Sequence, residues 1–150
     1  MSAPTNTQFS VAVHVLTYLA GNTDRPVNSD ELANSSRVNP VHIRKVLGPL
    51  RTAGLVQSRP GARGGSLLAR PSASIRLDEV WRVLQGDAPV LGHHIPNPDC
   101  PIGRDINTAL LGLDDEIRDA LVARLHRTTV ADLLTPAMRG ALGDGASTPT

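Results

Sequence analysis

Apolar residues recur at helical spacing from the start of the chain. Phe9, Ala12, Val13, Leu16 and Leu19 share one face over 8–20, and Gly21-Asn22 ends the run, which predicts a first amphipathic helix. Ser29 precedes Asp30 and Glu31, an N-cap with acids in the first turn, so a short helix is expected over 30–34 with Leu32 and Ala33 inward. Ser35-Ser36-Arg37-Val38 makes a tight connection. Asn39-Pro40 then reads as a cap followed by a proline at the first helical position. Ile43, Val46, Leu47 and Leu50 form the buried stripe of a third helix, which Gly54 ends. Short helix, tight turn and longer helix is the helix-turn-helix arrangement.

Two short strands follow, over 55–59 and 66–70, around the glycine-rich tip Pro60-Gly61-Ala62-Arg63-Gly64-Gly65, which is too long for a two-residue turn. This is a β-ribbon, or wing. A fourth helix is expected over 74–86, with Leu77, Val80, Trp81 and Leu84 on its apolar side. From 87 to 103 the chain carries four prolines and two glycines and is expected to be one long loop. Over 105–126, Ile106, Leu110, Leu113, Ile117, Leu121 and Leu125 return at spacings of three and four. That is about six turns, or about 30 Å of helix. A stripe so long reaches past a body of this size and calls for a second subunit, so Ile106, Leu110, Leu113, Ile117 and Leu121 are expected to form a homodimer interface. Thr129 caps a last short helix over 130–134, and the Gly, Ser, Thr, Pro and Ala residues of 140–150 are expected to be disordered. The organisation expected is a DNA-binding unit over 8–76, then a linking helix, loop and dimerisation helix over 77–138, then a tail over 139–150. The fold class is mainly α with a small β-ribbon, a winged helix-turn-helix extended by a long C-terminal dimerisation helix.

Composition narrows the chemistry. The chain has 150 residues, 40% apolar, with no run of 18 apolar residues, and its first residues lack the basic, apolar, small-residue order of a signal peptide; a cytoplasmic protein that does not engage a membrane is expected. The single cysteine, Cys100, excludes an internal disulfide and any site built from several thiolates of one chain. The net charge of +1 conceals an asymmetry: residues 1–76 carry nine basic and three acidic side chains, residues 77–150 six and eleven. Between Leu32 and Leu77 there is no acid, while Arg37, Arg44, Lys45, Arg51, Arg59, Arg63, Arg70 and Arg76 all fall there. Such a stretch is either a solvated basic face or the electrostatic footprint of a polyanion partner.

The third helix supplies the candidate base readers. With Ile43, Leu47 and Leu50 inward, the opposite face holds Val41, Lys45, Gly48 and Thr52, flanked by Arg44 and Arg51 on one side and His42 and Pro49 on the other. The N-terminal turns of such a helix enter the major groove, where Lys or Arg donates to guanine O6 and N7 and His offers a donor or an acceptor. His42, Arg44 and Lys45 are therefore expected at bases or adjacent phosphates, and Ser29, Arg37 and Arg51 at the backbone of double-stranded DNA. Arg59 and Arg63, beside glycines such as Gly64 that allow close approach, would act from the wing in a narrow minor groove or against phosphates. Pro49 inside the helix removes one backbone bond and should bend it near Lys45. The wing tip lacks the lysine and Ser/Thr of a nucleotide-binding loop and no helix follows it, so nucleotide binding is discarded. No catalytic constellation is present, and an enzyme is not expected. The rival reading is an interaction module whose basic face meets an acidic protein instead of DNA.

The run Pro60-Gly61-Ala62-Arg63-Gly64-Gly65-Ser66-Leu67-Leu68-Ala69-Arg70-Pro71, followed by Ile75-Arg76-Leu77-Asp78-Glu79-Val80, resembles the wing signature of the Rrf-two family of bacterial winged-helix transcriptional regulators. Ser29-Asp30-Glu31-Leu32-Ala33 and Ala53-Gly54-Leu55-Val56 also stand where that family has similar residues. The resemblance implies a homodimer with crossed C-terminal helices and a palindromic operator read by two recognition helices and two wings; a repressor is expected. Iron-sulfur members of that family place three cysteines in the loop before the long helix, where this chain has Cys100 alone, so no cluster and no other cofactor is expected. The segment Pro96-Asn97-Pro98-Asp99-Cys100-Pro101-Ile102-Gly103-Arg104 is similar to the single-cysteine motif of the cluster-free branch, some of whose members sense thiol oxidation or a partner protein. Cys100 would stand just before the long helix and four residues from Arg104, and the helix dipole and the guanidinium both favour the reactive form of a thiol. The alternatives are a redox-responsive thiol and a small buried hydrophobe. Adjacent His93 and His94 diverge and lack a second pair of ligands, so no metal site is expected. Val90, Leu91 and Ile95 either line an effector pocket or simply pack.

Overall fold

A computed structural model describes residues 7–136 and Met138. Helix α1 (Thr7–Gly21) is followed by α2 (Ser29–Ser36), α3 (Pro40–Thr52), the ribbon β1 (Val56–Arg59) and β2 (Gly65–Leu68), then α4 (Leu77–Gln85), α5 (Pro101–Leu125) and α6 (Val130–Leu133). The winged helix-turn-helix and its long C-terminal helix are thus present. The membrane expectation meets a limited fact: no helix among the described residues is long and apolar enough to cross a bilayer. The expected disorder of 140–150 lies outside the described residues.

The inward face of α1 is Val11, Ala12, Val15, Leu16 and Leu19. Phe9 and Val13 lie at its border, and Phe9 meets Trp81 of α4 edge to face at 5.3 Å between ring centroids. The N-cap of α2 is Asn28, not Ser29 as the sequence reading had it. Asn28 holds the extended backbone a cap requires (φ −80°, ψ 163°) and its side chain accepts the Glu31 amide at 2.8 Å, leaving Ser29 as the first helical residue. The helix also outruns the expected 30–34. The Ser36 hydroxyl donates back to the Leu32 carbonyl at 2.6 Å, so this serine extends the helix by a local bond rather than breaking it. Arg37 then closes α2 in the left-handed region at φ 55°.

The ribbon pairs Val56 with Leu68 through Arg59 with Gly65, leaving a tip over 60–64. Val27 adds a short third edge: its N–H donates to the Ser66 carbonyl at 2.9 Å and its carbonyl accepts the Ser66 N–H at 2.7 Å. Gly65 permits that approach, because a Cβ there would collide with the Val27 carbonyl.

Helix α4 begins at Leu77 instead of 74. Ser72–Ser74 form a 3-10 turn, and Ile75 is extended and fully buried. The cause is a competing partner: the Ile75 carbonyl accepts the Val130 N–H and the Leu77 N–H donates to the Thr128 carbonyl, both at 2.9 Å. The chain returning from α5 therefore pairs with the segment that helical spacing alone assigned to α4. Leu77, Val80 and Val130, all from beyond residue 76, join Leu16, Leu19, Ile43 and Leu50 in one core.

Helix α5 starts at Pro101, four residues before the expected 105, so the loop runs only over 87–100. Proline in a first turn lacks an N–H that would be unpaired there anyway and carries a preset φ, so Pro101 initiates the helix rather than delaying it. Gly103 fits because the turn over 97–100 folds back on it; a Cβ at Gly103 would lie 3.1 Å from the Asn97 carbonyl. Helix α6 carries the expected cap, a reciprocal pair in which the Thr129 hydroxyl accepts the Asp132 N–H and the Asp132 carboxylate accepts the Thr129 N–H.

Candidate nucleic-acid interface

Helix α3 is held rigidly from below. Its buried stripe of Ile43, Val46, Leu47 and Leu50 is inserted in the core, and the Asn39 side chain accepts the Val41 N–H at 2.8 Å, fixing the first turn. That leaves Val41, Arg44, Lys45, Arg51 and Thr52 on the exposed side. His42 is placed differently from its neighbours. The ring is half-buried and its Nε2 is shielded from solvent with no hydrogen-bond partner, so that nitrogen faces the protein rather than a groove. Pro49 lies within α3, and the helix continues through it to Thr52. Gly48 explains the tolerance: the residue before a proline suffers most through its Cβ, and Gly48 has none.

The basic stretch divides into paired and unpaired cations. Arg70 is bidentate to Glu79 at 2.6 and 3.1 Å, and Arg76 donates to the His126 carbonyl at 2.9 Å, so both serve the fold. Arg25 is likewise bidentate to Glu31, which also accepts the Tyr18 hydroxyl at 2.6 Å; the Arg25 hydrogen bonds hold the Glu31 carboxyl below its ordinary range. Among the described residues, Arg37, Arg44, Lys45, Arg51, Arg59 and Arg63 form no ion pair. All six are exposed, and they occupy the turn before α3, α3 itself and the wing. Ser29 is half-buried in the first turn of α2. Gly64 serves the hairpin, since a Cβ there would strike the Arg59 carbonyl. Sequence reasoning missed Asn28 and the Tyr18–Glu31–Arg25 cluster that joins α1 to α2.

Cys100 occupies the N-cap of α5 and is partly exposed. Its bond to Arg104 runs through the backbone, the Arg104 N–H donating to the Cys100 carbonyl at 3.1 Å. His93 and His94 are exposed in the loop. The loop is pinned to α5 at Leu91, whose N–H donates at 2.6 Å to Asp114, a carboxylate only 2% exposed that also accepts Arg118 at 3.1 Å. The Leu91 bond, ahead of the Arg118 contact, keeps the Asp114 carboxyl below its usual range. Asp114 is the one buried residue of α5. Within the expected interface stripe Ile106 and Leu113 are each 47% exposed, and Leu110, Ile117 and Leu121 are half-buried.

Comparison with known proteins agrees with this geometry. Residues 5–136 match the Rrf2 family, described as iron-dependent transcriptional regulators. The chain is 32% identical to YwnA of Bacillus subtilis over 130 residues, covering 86% of this chain and 96% of that protein. It is 30% identical to the HTH-type transcriptional regulator CymR of the same organism over 108 residues, covering 72% of each. The structure of CymR, the global cysteine regulator of B. subtilis, superposes with a TM-score of 0.61 at 26% identity, over 85% of this chain and 92% of that one. The family description includes iron, yet this chain offers one thiol, and among the described residues no three His, Cys, Asp or Glu side chains converge. The residues present do not fit an iron centre or a cluster held by one chain. These relatives regulate transcription and are not enzymes, and with a matching winged helix-turn-helix and a family match over most of its length, this chain belongs to the Rrf2 family of transcriptional regulators.

Proposed function

We propose that the protein is a cytoplasmic homodimeric repressor that binds a palindromic DNA operator through two α3 helices and two wings. The observation that carries this is the division of the basic residues. Arg25, Arg70 and Arg76 are spent on internal contacts, while Arg37, Arg44, Lys45, Arg51, Arg59 and Arg63, on the turn, α3 and the wing, form no ion pair among the described residues. Arg44 and Lys45 reach bases, Arg37 and Arg51 hold phosphates, and Arg59 and Arg63 work from the wing. The half-exposed apolar side chains of α5 support dimerisation by that helix. The repressor acts without a resident cluster, because one thiol per chain cannot supply the ligands. Cys100 is its redox-responsive group, a partly exposed thiol at the start of the helix that joins the two subunits.

The test is selection of genomic fragments by the full-length protein under reducing and mildly oxidising conditions, followed by salt titration of the selected duplex. A discrete palindrome is expected, with affinity falling by a slope of about −0.9 per phosphate contact. Loss of binding with diamide in the wild type and not in Cys100→Ser supports the thiol; equal responses refute it. No enriched sequence would turn the reading to a basic module for an acidic protein.

A further inference from the structure

Seven large apolar side chains stand exposed among the described residues, and six of them, from Ile95 to Met138, lie on the loop, α5 or the end of the described chain. The seventh is Val41, 53% exposed, on the DNA-facing side of α3. The core formed by the described residues does not use it. Valine is a weak helix former, its side chain leaves the core stripe to Ile43, Val46, Leu47 and Leu50, and alanine would suit the exposed first turn better. On helical spacing Val41 shares a face with Lys45 and Gly48 and lies one turn from Arg44, so it projects between the cations that reach bases.

The side chain is also preorganised. Its own N–H is held by the Asn39 cap at 2.8 Å, and a β-branched residue in a helix keeps essentially one χ1 rotamer. Little freedom remains to be lost on contact. In the major groove one base edge presents an apolar group, the C5-methyl of thymine, and small apolar side chains are its partners. We infer that Val41 is a specificity-determining residue that packs against the C5-methyl of a thymine in each operator half-site, beside the bases reached by Arg44 and Lys45. The inference rests on the DNA-binding reading above and adds to it a base and an atom. Cytosine C5-methylation presents the same group in the same place, so a methylated cytosine at that step satisfies Val41 as thymine does.

The experiment uses the full-length protein and the duplex selected from a randomised pool. Each thymine is replaced in turn by deoxyuridine, which removes only the C5-methyl, and affinity is measured for the wild type and for Val41→Ala. One thymine per half-site is expected whose methyl is worth about three- to fivefold to the wild type, and that sensitivity should vanish in Val41→Ala while sensitivities elsewhere persist. Val41→Ala removes an exposed group and favours the helix, so folding is not at issue, and circular dichroism verifies it. Wild-type binding unchanged by every deoxyuridine, or a methyl effect that survives in Val41→Ala, overturns the inference while leaving the DNA-binding reading intact. Failure to select any duplex overturns both.

Discussion

Arg37 is the residue at which fold and function make opposite demands. It closes α2 at φ 55°, where the side chains of L-residues crowd the following carbonyl and glycine is the usual occupant. That conformation costs a non-glycine residue about 1–2 kcal/mol, and no ion pair or side-chain hydrogen bond of Arg37 offsets it among the described residues. Arg37→Gly removes the cost. Part of the gain returns through the larger backbone entropy of glycine in the unfolded chain, about 0.5–1 kcal/mol, so the net stabilisation should be about 0.5–1 kcal/mol. For a chain of this size that raises Tm by about 1–4 °C. The same change deletes a cation from the turn before α3. If Arg37 holds a phosphate in each half-site, the salt slope of operator binding should flatten by about 0.9 per subunit. Calorimetry and anisotropy titrations at several salt concentrations read the two effects separately. Arg37→Asn, which tolerates the left-handed conformation and also lacks the charge, should match Arg37→Gly in the DNA assay. A lower Tm in Arg37→Gly would show that the arginine side chain stabilises the fold, and an unchanged salt slope would remove it from the interface.

Three further outcomes are expected. Asn28→Ala should cost about 1 kcal/mol in urea unfolding and Ser29→Ala only a few tenths, because Asn28 alone caps α2; a larger loss from Ser29→Ala would reverse that assignment. Glu31 titrates below its ordinary value when folded, chiefly through the Arg25 hydrogen bonds, so its stabilisation is full above the unfolded-state value and fades as pH falls through the lowered one. The stability gap between wild type and Glu31→Gln should therefore close between neutral pH and strong acid, and a gap that widens in acid contradicts the sign. Leu113, 47% exposed in the single chain, has about half its side chain left to bury, and a two-fold interface counts the change twice. Leu113→Asp should then weaken the dimer by about 10- to 100-fold, read by sedimentation against Thr108→Asp, exposed and opposite the stripe on α5 by helical spacing; equal dissociation constants would exclude the stripe.

The helices of the DNA-reading unit were legible because local signals and burial agree there: Asn39-Pro40 begins α3 and Ile43, Val46, Leu47 and Leu50 fill its core side. The start of α4 was not legible, since the bonds that hold Ile75 and Leu77 come from Val130 and Thr128, more than fifty residues away. Local pattern carries no trace of such a partner. Asn28 was passed over because Ser29, beside the acids, is an equally good cap by type, and only the backbone angles choose between them. At the interface, basic residues were visible as a class, but their partners were not. Arg70 and Arg76 look like Arg59 and Arg63 in the sequence, and Glu79 and the His126 carbonyl separate them in space. Val41 was placed on the outward face by spacing alone, whereas its exposure in a region that otherwise hides its apolar groups is a three-dimensional fact.

The return of the chain at 128–130 also bears on the protein's life before it is complete. The DNA-reading unit has a hole where Val130 belongs, and Ile75 and Leu77 have unpaired backbone groups, until α5 has been synthesised. On the ribosome the winged portion lacks these bonds until the chain beyond α5 has been made. The same dependence bears on cleavage: a cut in the loop over 87–100 breaks the covalent path between Ile75 and Leu77 and the Val130 and Thr128 that pair with them. The winged portion and the segment that follows α5 thus depend on one another for their last backbone bonds, although the whole long helix stands between them in the chain.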